Sequence, residues 1–135
     1  MPATPSALLV TSALANFVVS LAGIFAGDEL LTAFGAAGTP LERALVQLVG
    51  AGLFGFAMLN WMSRFATIGG IYGRPLVVAN LAHTVTAALA ILQIIRRGGA
   101  TTSAIAGLAC YAVFAVGFGV TLFVDPTTRS RQDTP

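Results

Sequence analysis

Charge is what this sequence has least of. Of its 135 residues 9% are charged and 56% hydrophobic, with a mean hydropathy of +0.87, whereas an ordinary soluble domain carries about 25% charged residues. That shortage excludes a normal water-solvated surface and points to a protein whose solvent is the bilayer. Lysine is absent: the cations are Arg43, Arg64, Arg74, Arg96, Arg97, Arg129 and Arg131, set against Asp28, Glu29, Glu42, Asp125 and Asp133 for a net charge of +2. Arginines scattered singly or in one pair between apolar runs form no basic stripe, so nucleic acid is excluded as a partner despite a pI near 9.3. Arginine-only basic usage beside abundant alanine and glycine is a compositional sign of a GC-rich bacterial or archaeal genome.

Cysteine and histidine occur once each. Cys110 lies inside an apolar run and has no intramolecular disulfide partner; it reads as a small packing residue, because a thiol in apolar surroundings stays protonated and unreactive. His83 has no second histidine, no nearby cysteine and no carboxylate in its own run, which excludes a metal centre. The sequence also lacks a nucleophile beside a base and a phosphate-binding loop. We therefore expect no catalytic residues, no enzyme activity and no cofactor.

What is there is a set of long uncharged runs: 1–27, 44–63, 75–95 and 98–124. Each is long enough to cross, since a helix rises about 1.5 Å per residue and the hydrocarbon core is about 30 Å thick. The runs 30–41 and 65–73 are too short and rich in glycine, so they are connections. The expected fold is an all-α membrane protein, one domain over 1–126 with four transmembrane helices (about 5–27, 40–63, 75–97 and 102–124) in an up-down antiparallel bundle, followed by a polar, disordered tail at 127–135. A cleaved signal peptide needs a basic leading region, which residues 1–27 lack, so the first span is expected to be retained.

Local chemistry supports these limits. Thr4-Pro5 offers an N-cap with proline at the first helical position, and Thr39-Pro40-Leu41-Glu42 is a capping-box sequence. Pro75 can open the third span, and Arg96-Arg97-Gly98-Gly99 can close it with cations at the negative helix end and glycines that permit a left-handed turn. The fourth span is expected to start near Thr102 or Ser103. Asp28 to Phe34 reads either as one or two turns of interfacial helix or as an irregular loop.

Inside lipid, helices associate through small residues and cross-helix polar bonds. Ser12, Asn16, Ser20, Gly23 and Gly27 fall on one stripe of the first span; Gln47, Ala51 and Gly55 on the second; and Ser103, Gly107, Ala115 and Gly119 on the fourth. These are the expected seams. Tyr111, Phe114 and Phe118 read as packing or lipid-facing residues, and Trp61 as an interfacial anchor.

The most informative polar residues are Asn60, Arg64, Tyr72, Arg74, Asn80 and His83. Asn60 and Arg64 share a helix face, as do Asn80, His83 and Thr84. Both groups belong to the same membrane edge, so they can converge between the second and third spans. Two readings stand. In one, His83 is neutral, hydrogen-bonded to Asn60, Asn16 or a carbonyl, and fixes the bundle. In the other, the six residues bind a quinone-like or lipid-like ligand, in keeping with the rule that a costly intramembrane ionisable group marks function. Arg64 and Arg74 either snorkel to the headgroups or hold a phosphate.

The chain's size, its four spans, the Leu41-Glu42-Arg43-Ala44 start of a glycine-rich second helix, the Asn60-Trp61-Met62-Ser63-Arg64 exit and a His-bearing third helix together resemble small bacterial four-helix membrane proteins of the DoxX-like type. The resemblance implies an up-down bundle and, in some members, a link to quinone or thiol redox systems. Taken together, we expect a small multi-pass protein of the bacterial inner membrane without catalytic activity. Its termini are expected to be cytoplasmic, and its partners the lipid bilayer and a second copy or a larger membrane complex.

Overall fold

The computed structural model describes residues 5–65 and 73–123. Five helices follow one another: α1 Pro5–Phe25, α2 Gly27–Ala33, α3 Pro40–Met62, α4 Gly73–Arg96 and α5 Thr102–Phe123, with no strand among the described residues. The four long ones are each long and apolar enough to cross a membrane. The outward faces carry large apolar side chains such as Leu48, Val78, Leu89, Val113 and Val116. A water-soluble protein rarely exposes so much apolar surface, and lipid accepts it without cost. Cys110 also faces outward rather than packing inside.

The helix ends follow from the residues that form them. At the start of α3 the Thr39 hydroxyl accepts from the Glu42 amide at 3.3 Å, and the Glu42 carboxylate accepts from the Thr39 amide at 2.7 Å, which completes the capping box. The segment after α1 takes the helical alternative: α2 forms and ends on Gly35, whose φ is +76°, with Ala36 donating back to the Leu31 carbonyl. Gly98, at φ +96°, ends α4 in the same way, with Gly99 donating to Ile94. The α4 helix begins at Gly73 rather than at Pro75, which still leaves the proline in the first turn, where an amide N–H has no helical partner to lose. Thr101 caps α5 by accepting from the Ala104 amide at 3.1 Å. Thr4 and the 127–135 tail lie outside the described residues.

Backbones approach most closely in two pairs. In the first, α1 meets α3 in antiparallel register: Ser12 bonds Asn60, Phe17 lies against Phe54, and Gly23 faces Gly50. A Cβ added to Gly23 would sit 3.2 Å from the Gly50 Cα and from the Val46 carbonyl oxygen, so a side chain here would force the facing backbone to give by a few tenths of an ångström. In the second, α4 and α5 pack with Ile91 over Gly107 and His83 against Tyr111. The pairs join at the end where α1 begins, where Leu9, Leu76, Val77 and Phe118 form a buried cluster covered by Leu8, Leu81, Phe114 and Leu122. Phe118 is thus a core residue.

One expected seam is corrected. Gln47, Ala51 and Gly55 are exposed, and nothing lies within 4 Å of a Cβ built at Gly55. The buried line on α3 is Gly50, Leu53, Ala57 and Asn60 instead. The α1 stripe does turn inward, with Ser12, Ser20 and Gly23 buried and Asn16 and Gly27 half-buried.

Candidate functional site

Asn60 sits in the last turn of α3 and Asn80 two turns into α4, both fully enclosed. Their side-chain amides pair head to head. Asn60 Nδ2 donates to Asn80 Oδ1 at 2.8 Å, and Asn80 Nδ2 donates to Asn60 Oδ1 at 2.8 Å. The second N–H of Asn60 reaches Ser12 Oγ on α1 at 3.0 Å, and that of Asn80 reaches the Leu76 carbonyl at 2.9 Å. A side-chain amide has two N–H donors. All four donors of the pair are therefore spent within the protein, and three helices are tied at one level. Ser12 in turn donates to the Leu9 carbonyl, and the buried Thr84 hydroxyl to the Asn80 carbonyl.

His83 lies one turn along α4 from Asn80, but it does not join this network. Its ring stacks on Phe56 of α3, with centroids 4.7 Å apart and planes 22° apart, and meets Tyr111 of α5 edge-on at 5.7 Å. Its Nε2 is buried with no hydrogen-bond partner among the described residues. The expected bonds from His83 to Asn60, Asn16 or a carbonyl are absent among the described residues, and the two Asn60 N–H donors go to Asn80 and Ser12 instead. Phe56, which stacks on the ring, has no polar signal in the sequence to mark it, and Tyr111 stands there only as part of an aromatic stripe.

Arg64 and Arg74 stand apart from the pair. The Arg64 guanidinium lies 4.4 Å from the Trp61 ring and 4.4 Å from the Phe65 ring, and its Nη1 donates to the Trp61 carbonyl at 2.6 Å. Arg74 is exposed in the first turn of α4. Tyr72 lies outside the described residues. At the opposite edge, Arg43 and Asp28 form an exposed ion pair at 2.6 Å. Among the described residues, no three His, Cys, Asp or Glu side chains gather in a way that would hold a metal ion.

Chemically, then, the centre of the site is a closed polar knot with its N–H donors satisfied, beside a histidine ring held by aromatic contacts. No family model, no curated protein and no solved structure matches the chain.

Proposed function

We propose that this small integral membrane protein is not an enzyme, and that its buried polar residues serve the packing of its own spans and their assembly in the membrane. The observation that carries this reading is the Asn60–Asn80 pair, whose four N–H donors are all used inside the protein. A ligand that needs an N–H from either amide would have to displace a bond already made inside the protein.

A second reading is a quinone-like or lipid-like ligand held between α3 and α4 by Asn60, Arg64, Tyr72, Arg74, Asn80 and His83, and one observation favours it: the buried, unbonded Nε2 of His83. Extraction of the purified protein followed by quinone absorbance separates the two. The packing reading expects no stoichiometric quinone; one quinone per chain, lost in His83→Phe while the helical circular dichroism persists, would establish the ligand.

For placement, we propose the bacterial inner membrane with both termini in the cytoplasm. The side shared by the termini carries Arg64, Arg74, Arg129 and Arg131, and the other side Arg43, Arg96 and Arg97. Single cysteines at Ser6 and Thr134 in a Cys110→Ala background test this: both should label only after the membrane is opened, and opposite accessibility would end the four-span topology.

A further inference from the structure

A groove of about 190 Å³ lies on the outer face of the α1–α3 pair, lined by Ala13, Leu14, Phe17, Ala57, Met58 and Trp61. Its floor is made by the two alanines, which are fully buried, and its walls by the four larger side chains, which are exposed. A channel about one helical turn long, with a small-residue floor and bulky rims on a lipid-facing surface, accepts a segment of one acyl chain. Nothing in its lining is charged.

Its upper end does carry charge. Trp61 is the last groove residue toward the membrane edge where α3 ends, and the Arg64 guanidinium lies against the Trp61 ring with Phe65 on the same cation. The bond from Nη1 to the Trp61 carbonyl fixes that cation at the mouth of the groove. Of the five N–H donors of an arginine, this leaves most available to an oxygen anion. Arg64 has no acidic partner: among the described residues the acids are Asp28, Glu29 and Glu42, all at the other membrane edge, and Asp28 is already paired with Arg43. Asp125, which follows α5, lies outside the described residues.

We propose that this groove is a binding site for an anionic phospholipid, with one acyl chain between α1 and α3 and the headgroup phosphate on Arg64. The apolar channel sets the chain's position, and the unneutralised cation at its end selects the headgroup. The site is separate from the Asn60–Asn80 pair, so it stands whether or not the packing reading does.

Trp61 is the only tryptophan of the chain, and it lines the groove, so its fluorescence reports occupancy. The test places the full chain in phosphatidylcholine vesicles holding, as a minor component, either phosphatidylglycerol or phosphatidylcholine brominated on the acyl chain. One arginine near an anionic headgroup corresponds to about a fivefold preference, so brominated phosphatidylglycerol should quench Trp61 at about fivefold lower mole fraction than the zwitterionic lipid. The preference should weaken with added salt. It should disappear in Arg64→Gln, survive in Arg64→Lys, and be unchanged in Arg97→Gln, an exposed arginine at the opposite edge. Equal quenching by the two lipids, or an unchanged preference in a folded Arg64→Gln protein, would overturn headgroup recognition. Failure of both lipids to quench would overturn the site altogether and give the groove to a second copy or another protein.

Discussion

The side-chain amides of Asn60 and Asn80 bond each other twice, at 2.8 Å in each direction, across the gap between α3 and α4. These two helices have no close backbone crossing of the kind that Gly23 and Gly50 give α1 and α3. The pair is therefore a main link between the two helix pairs, with Ser12 and the Leu9–Phe118 cluster at the same end. In a medium that offers no water and little hydrophobic force between helices, a doubly bonded amide pair holds what apolar contact alone would not.

The α1–α3 crossing should be strained by even one added methyl group. At Gly50 a Cβ would lie 3.1 Å from the Ser20 carbonyl and from the Ile24 amide nitrogen, both backbone atoms. Gly50→Ala and Gly23→Ala should each lower stability in detergent by about 1 to 3 kcal/mol, the usual cost of overpacking. Gly55→Ala, with open space around it, should remain within about 1 kcal/mol of wild type, or gain slightly in helix propensity. Thermal unfolding followed by circular dichroism reads all three.

His83 should behave as a packing ring. Its imidazole lies between Phe56 and Tyr111 with Nε2 unbonded, and a buried polar atom without a partner costs about 1 to 3 kcal/mol. His83→Phe keeps a ring between the two aromatic neighbours and removes that cost, so it should unfold at or above the wild-type temperature. His83→Ala leaves a cavity and should lose about 2 kcal/mol or more. A loss in His83→Phe as large as in His83→Ala would point to a polar partner for the nitrogen.

The start of α3 gives a third comparison. Thr39→Ala removes the hydroxyl that accepts from Glu42 and should cost about 1 kcal/mol. Asp28→Asn removes the exposed ion pair with Arg43 and should cost only about 0.2 to 1 kcal/mol, falling toward zero in high salt. Chemical unfolding at low and high salt distinguishes the two, because only the second depends on ionic strength.

Much of this architecture is legible in the sequence because few residues carry it. Charge-free runs long enough to span point to the four apolar helices, and Thr39 with Glu42 marks where α3 begins. The inward face of α3 was not legible. That helix holds Gly50, Ala51, Gly52, Gly55 and Ala57, so small residues recur on more than one face. The apolar background gives no phase, and it is the partner helix, through Ser12, Ser20, Gly23 and Ile24, that selects the Gly50–Asn60 line over Gln47, Ala51 and Gly55. The site was legible in the same partial way. Helical spacing placed Asn60 and Asn80 at one membrane level. Which of them bonded to which depended on side-chain reach between helices, and the Phe56–His83–Tyr111 stack rests on ring contacts that no spacing rule encodes.

The most direct test of the account is a double-mutant cycle at Asn60 and Asn80, measured by reversible unfolding in mixed detergent micelles. Asn60→Leu and Asn80→Leu should each cost about 1 to 3 kcal/mol, because each strands the other amide in a dry interior. The double variant strands neither amide on the other, so its cost should fall short of the sum of the single costs by about 0.6 to 1.7 kcal/mol, the range of interhelical polar couplings in membranes. Strictly additive losses would mean that the two amides do not bond in the membrane, and with that the packing role assigned to them would fail.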